Sequence, residues 1–272
     1  MRVKFTKAVA SGNDFVVLNT FGDDCRGLTP QFSGFARFVC RRKFSVGADG
    51  LLILEPSREA DFKMRVFNPD GSEVSMCGNG IRAVALSAYK ANLAGKKMKI
   101  ETLAGFLEAE MNRDSVRVKM TEPGRIRMDH NIGIESSIMP VHSVDTGVPH
   151  AVHFVDDIKG YPVKKIGRLV RNHKVFEPEG TNVDFVKVID SSTIEARTYE
   201  RGVEDETLAC GTGIVASAVI AHLAHGVRQP VSVLSKSGET LKVYFKKDKN
   251  NFKEVYFEGK AVIVFKGEMT YV

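Results

Sequence analysis

The chain contains the same short motif twice. Met76-Cys77-Gly78-Asn79-Gly80-Ile81 leads into an Ala-rich apolar stretch that runs to Leu93. Ala209-Cys210-Gly211-Thr212-Gly213-Ile214 leads into a second, from Val215 to Leu223. The two cysteines stand 133 residues apart in a chain of 272. A second pair of segments repeats this spacing within one residue. Thr29-Pro30 opens a helical pattern running to about Phe44, and Tyr161-Pro162 opens another running to about Phe176. Proline suits a first helical turn, where its missing N–H would have had no partner. Two agreeing offsets and one order of elements predict duplication of a unit of about 135 residues. The expected division places residues 1–130 in an N-terminal lobe carrying Cys77 and residues 131–272 in a C-terminal lobe carrying Cys210.

Strand patterns outnumber helical ones. In the first half Val3–Phe5, Phe15–Asn19, Leu51–Glu55, Phe62–Asn68 and Lys97–Thr102 read as strands, followed by alternation from Phe106 to Met120. In the second half Val141–Thr146, Ala151–Val155, Asn182–Val188, Thr193–Tyr199 and Val231–Leu234 do so, followed by alternation from Leu241 to Phe257. The helices after the two cysteines are apolar nearly all round, so each must be buried rather than lie on a surface. The predicted fold class is α+β. It consists of two pseudo-symmetric lobes, each a curved, mainly antiparallel sheet around one central helix, with a cleft expected between them.

Composition narrows the function classes. No apolar run approaches the roughly 18 residues of a membrane helix, and Arg2, Lys4 and Lys7 are followed by no secretory apolar stretch. A cytoplasmic protein without a membrane partner is expected. The formal charge is +6, but basic clusters such as Arg41-Arg42-Lys43 and Lys246-Lys247 are scattered and lack interleaved aromatics, so they read as a solvated surface with a mild positive bias. No nucleic-acid partner is expected, although a small anionic substrate fits that bias as well as nucleic acid does. The four cysteines form no Cys-x-x-Cys pair, so no metal site is expected. Cys25 and Cys40 carry no motif and read as small buried hydrophobes.

Cys77 and Cys210 differ from these two because each stands at the mouth of a helix among glycines. A helix start exposes unpaired N–H groups and the positive end of the dipole, and glycines let a ligand approach the backbone closely. Such a loop holds a carboxylate and is expected to lower the pKa of a cysteine within it, so that the thiol serves as a base near neutral pH. Two such thiols, one from each half, suit removal of a proton from one face of an α-carbon and its return on the other, with inversion. A gap on the order of ten pK units between Cα–H and thiol would cost roughly 14 kcal/mol. The site must therefore stabilise the carbanion-like state, and the N–H groups of residues 78–80 and 211–213 are placed to do so.

Seven segments in order complete the pattern: Ser11-Gly12-Asn13-Asp14-Phe15, Gly47-Ala48-Asp49-Gly50, Phe67-Asn68-Pro69-Asp70-Gly71-Ser72-Glu73, Met76-Cys77-Gly78-Asn79-Gly80, Gly147-Val148-Pro149-His150, Tyr199-Glu200-Arg201-Gly202 and Ala209-Cys210-Gly211-Thr212-Gly213. On these residues the chain resembles the diaminopimelate epimerase family over essentially its whole length. The resemblance implies cofactor-independent (PLP-independent) interconversion of LL- and meso-diaminopimelate, on the route to lysine and peptidoglycan, by a homodimer. It implies an acid/base pair in Cys77 and Cys210, with His150 and Glu200 as the polar residues beside the thiols. Asn13, Asn68, Asn182, Glu200 and Arg201 would hold the substrate, and Gly78-Asn79 and Gly211-Thr212 would bind its reacting end. Arg201 suits the distal carboxylate, and Glu200 suits its ammonium or a neighbouring thiol.

Three departures from the family pattern stand out. Gly50 and Val148 occupy positions where some members have Gln and Asn, and the stretch Val203-Glu204-Asp205-Glu206-Thr207 is one residue longer than in many members and is expected to form a loop. The competing readings are a proline or hydroxyproline racemase-type enzyme, and a thiol redox sensor or binding protein in which the cysteines form a regulatory disulfide.

Overall fold

The computed structural model describes residues 1–22, 31–249 and 251–271. Cys25 and the expected helix opening at Thr29-Pro30 lie outside these residues. The chain divides into two compact units, Met1–Val118 with Gly259–Val272, and Lys119–Glu258. The observed division thus falls earlier than 130, and the C-terminal segment returns to the first unit.

The first unit runs β1 (Arg2–Ala10), β2 (Asn13–Asn19), α1 (Phe32–Val39), β3 (Gly50–Glu55), β4 (Phe62–Phe67), β5 (Glu73–Val74), α2 (Gly78–Lys90), β6 (Lys97–Thr102), β7 (Gly105–Asn112) and β8 (Ser115–Lys119). The second runs β9 (Gly124–Ile134), β10 (Ser137–Asp145), β11 (Pro149–Phe154), α3 (Val163–Arg171), β12 (Asn182–Val188), β13 (Thr193–Glu200), β14 (Asp205–Thr207), α4 (Gly211–His225), β15 (Val231–Ser235), β16 (Thr240–Asp248) and β17 (Asn251–Lys260). β18 (Val262–Thr270) then pairs antiparallel with β1 in the first unit.

Strand pairing is the same in both units. In the first, β18, β1 and β2 are antiparallel neighbours, β2 pairs parallel with β3, β4 pairs antiparallel with β3 and parallel with β6, and β6, β7 and β8 follow antiparallel. In the second, β9, β10 and β11 are antiparallel, β11 pairs parallel with β12, β13 pairs antiparallel with β12 and parallel with β15, and β15, β16 and β17 follow antiparallel. β5 and β14 add a short antiparallel strand at equivalent places. Residues 203–207, expected as a loop, therefore form a turn and β14, because Glu206 pairs with Tyr199 of β13 in register.

Each sheet closes on one helix. α2 touches β1, β2, β3, β4, β7 and β18, and α4 touches β10, β11, β12, β13, β15 and β16. Strands from distant parts of a sheet meet the same helix only if the sheet curls around it. Accordingly Ile81, Ala83, Val84, Ala85 and Ala88 of α2, and Ile214, Val215, Ala216, Ala218, Val219 and Ile220 of α4, are buried. Burying one Leu, Ile or Phe fully contributes about 1.5–3 kcal/mol, so an apolar helix is stable only inside such a wrap. The other sheet face carries the amphipathic helix. Leu51 and Ile53 of β3 pack on Phe32, Phe35 and Val39 of α1. Val183 and Phe185 of β12 pack on Val163 and Val170 of α3. Alternation along each strand sends the residues between these, Leu52 and Asp184, towards the central helix.

α1 ends at Val39, short of Phe44, with buried Cys40 as its C-cap, and a left-handed Lys43 (φ 69°) follows in the turn that closes the helix. α3 ends at Arg171, and the pattern to Phe176 finishes as a 3-10 turn at Lys174–Phe176. β9 and β18 carry no expectation from the sequence. Both leave much of their length exposed, so neither shows a clean apolar face.

Candidate functional site

Cys77 and Cys210 each sit at the N-cap of a buried helix, with extended backbone (φ −143° and −108°). The glycines after them answer to packing. A Cβ at Gly80 would lie 3.1 Å from Leu52 Cδ2 and 3.2 Å from both Cys77 Cβ and Met64 Cε. A Cβ at Gly213 would lie 2.4 Å from Asp184 Oδ1 and 3.0 Å from Thr198 Oγ1. The second glycine of each motif thus lets the helix start rest directly on its sheet.

In the first unit the Cys77 sulfur accepts the Gly80 N–H at 3.3 Å and so caps α2. Asn79, which follows Gly78 in the first turn, donates to Asn13 Oδ1 at 2.6 Å. Asn13 in turn donates to Asp49 Oδ2 at 3.2 Å, and Arg42 joins Asp49 to Asp14. Arg82, fully buried in α2, donates to Asn79 Oδ1 (2.8 Å), Ser11 Oγ (2.6 Å) and the Lys260 carbonyl (3.0 Å). Asn13 and Asn79 are therefore held by one polar chain with a guanidinium behind it. Asn68 follows β4 in a tight turn, its amide donating to Ser72 Oγ at 3.0 Å. Sequence reasoning placed Ser11 and Asp49 in its motif segments without giving them a role and did not single out Arg82, for which a lone Arg inside an otherwise apolar helix was the available signal.

In the second unit the Cys210 thiol is buried and lies 3.3 Å from Thr212 Oγ1. Gly211 opens α4 beside it. His150 of β11 and Asp184 of β12 are both fully buried. His150 Nδ1 meets Asp184 Oδ2 at 2.7 Å, and its Nε2 meets Thr212 Oγ1 at 3.0 Å. Thr198 donates to Asp184 Oδ1 at 2.7 Å. Asn182, opposite His150 in the β11–β12 register, accepts the Arg201 N–H at 2.8 Å and donates to the Pro149 carbonyl at 3.2 Å. Its amide thus braces the ends of β11 and β13. The Arg201 guanidinium reaches the Glu179 carbonyl.

Electrostatics correct one expectation. The Cys210 thiol is pushed up from its ordinary pKa, first by burial and then by Glu200 and Asp184. Thr212 and the Gly213 N–H pull the other way without reversing the shift. The helix start therefore does not make this thiol a ready base, because loss of water and two nearby carboxylates outweigh it. Cys40 is raised too, to about 11, chiefly by burial.

Burial also raises Glu200. A carboxyl raised in the folded protein adds stability below its unfolded pKa, and that stability is lost as pH rises through the folded value. Glu200→Gln should therefore gain more stability relative to wild type at pH 7 than at pH 4. Urea midpoints at the two pH values check this; a difference independent of pH would contradict it.

Among the described residues, no group of His, Cys, Asp and Glu has metal-holding geometry, and no helix is long and apolar enough to cross a membrane.

A family model described as diaminopimelate epimerase matches residues 5–126 and 142–264. A diaminopimelate epimerase from Aquifex aeolicus is 40% identical over 98% of both chains. One from Archaeoglobus fulgidus is 41% identical over 98% of this chain and 96% of its own. Among solved structures, a Bacillus anthracis protein of the PhzF phenazine-biosynthesis family superposes with a TM-score of 0.75 over 100% of both chains at 18% identity. A hydroxyproline epimerase from Agrobacterium vitis does so at 0.69, covering 98% of this chain and 92% of its own at 16% identity. At such low identity these two share the fold alone. Two matched halves and full-length relatives near 40% identity establish that the chain belongs to the diaminopimelate epimerase family, whose members are isomerases.

Proposed function

We propose that this protein epimerises LL-2,6-diaminopimelate to the meso form by two-cysteine acid/base chemistry, without a cofactor, supplying lysine and peptidoglycan precursors. The observation that carries the reading is the repeated placement of a cysteine at the N-cap of a buried helix in two units of identical strand pairing, within a chain of this family. In this reading Cys77 and Cys210 flank one α-carbon. One takes its proton and the other returns a proton to the opposite face. The first-turn N–H groups of Gly78-Asn79 and Gly211-Thr212 bind the α-carboxylate as negative charge develops, which is where such donors lower a barrier. Asn13, Asn68, Asn182, Glu200 and Arg201 orient the substrate. Arg201 takes the distal carboxylate, and Glu200 takes the distal ammonium or acts beside Cys210. His150 tunes Cys210 through Thr212.

Incubation of the reduced protein with LL-diaminopimelate in deuterated water should replace the α-proton signal by deuterium as the meso isomer forms. Proline under the same conditions should keep its α-proton. Absence of exchange from LL-diaminopimelate would refute the assignment, and exchange from proline alone would move it to the racemase class.

A further inference from the structure

The floors beneath the two cysteine loops differ in one respect. The β2–β3 register sets Phe15 opposite Gly50, and the β11–β12 register sets His150 opposite Asn182. Two residues on, Leu52 and Asp184 occupy the same place, each directly under the second glycine of its motif. In the first unit Leu52 and Met64 fill that place, so the fold itself is satisfied by apolar side chains. In the second unit Asp184 stands in place of Leu52, and Thr198 pairs with Asp184 as Val66 pairs with Leu52. A carboxylate buried there costs desolvation that an apolar residue would not.

Resting on the epimerase reading above, we propose that Asp184 is a positioning residue that holds His150 to receive the proton of Cys210 through the hydroxyl of Thr212. Both Asp184 oxygens are occupied, one by Thr198 and one by His150 Nδ1. A carboxylate only accepts, so Nδ1 carries the hydrogen and Nε2 presents its lone pair to Thr212. Thr212 Oγ1 lies 3.0 Å from Nε2 and 3.3 Å from Cys210 Sγ. As the Cys210 S–H bond breaks, a new Thr212 O–H bond forms, and the original Thr212 proton passes to Nε2. The result is a thiolate and an imidazolium whose charge Asp184 offsets. Reprotonation of Cys210 runs every bond change in reverse, and no electrons leave or enter. The other groups facing this chain are Glu200 of β13, close to the thiol, and the Asn182 amide, 3.5 Å from Nε2. The device gives a buried thiol, flanked by carboxylates, a place to put its proton.

Asp184→Asn should lower kcat for LL-diaminopimelate by roughly 100-fold, within the range for a positioned proton-transfer group. KM should change less than about threefold, and the acid limb of the kcat profile should move to lower pH, because an imidazolium whose charge is no longer offset gives up its proton more readily. Thr212→Val should lower kcat similarly, Thr212→Ser should retain most of it, and the Asp184→Asn/Thr212→Val double variant should be no worse than either alone. In 15N-histidine spectra, wild-type His150 should show the Nδ1–H tautomer, and Asp184→Asn should lose it. Wild-type kcat in either single variant, multiplicative losses in the double, or an unmoved acid limb in Asp184→Asn would overturn the proposal. If Asp184→Asn does not fold, the Thr212→Val and Thr212→Ser pair decides. Wild-type protein inactive on diaminopimelate would instead refute the epimerase reading, leaving the tautomer measurement to judge the Asp184–His150 arrangement by itself.

Discussion

Alanine at Cys77 or at Cys210 should abolish epimerisation, lowering kcat by at least about 10⁴-fold, the upper end for loss of one acid/base group. Each thiol is assigned the only proton transfer on its face of the substrate, so neither can stand in for the other. The double variant should be no slower than the single ones, because groups that act as a unit are not additive. The fold should survive. Alanine keeps the Cβ and removes only sulfur from an N-cap. Steady-state kinetics with circular dichroism on each variant checks this. A folded variant that retains a tenth of the wild-type rate would refute the two-thiol scheme.

The second large effect is structural. Arg82→Ala should destabilise the protein by about 3–5 kcal/mol, the usual cost of removing one partner from a buried charged network. The guanidinium joins Asn79, Ser11 and the Lys260 carbonyl, three groups far apart in the chain. Its loss also leaves a large void at the centre of α2. Thermal unfolding should show a midpoint lower by roughly 10 °C. A loss under about 1 kcal/mol would mean that the network carries little of the stability of this unit.

The contrast between these two predictions tracks what the sequence shows. The cysteines were legible because a Cys-Gly-x-Gly unit before an apolar helix is rare and occurs here twice. Duplication was legible from spacing alone, and the strands at Lys97–Thr102 and Asn182–Val188 match their expected ends. Arg82 and Asp184 were not legible. Each is a charged residue in an apolar stretch, and only the three-dimensional neighbours reveal why it is tolerated. For Asp184 the clue lies 29 residues away at Gly213, where a side chain would collide with the carboxylate. The expected fall in thiol pKa failed at Cys210 for a related reason. A motif displays the helix start, but the opposing carboxylates arrive from β12 and β13. β18 was missed because position in the chain does not name a partner, and its exposed face hides the alternation.

That strand has a consequence for how the molecule is made. β1 is bordered by β2 on one side and by β18 on the other, over pairs from Arg2–Thr270 to Val9–Val262. The unit translated first is therefore completed only once Val262–Thr270 has been made. Until then β1 presents an open edge of the kind that recruits foreign strands, while Lys119–Glu258 already has all its own partners. Released chains truncated after Ala261 should accordingly expose the cysteine-bearing helix of the early unit to proteases and chaperones, and protect that of the later one.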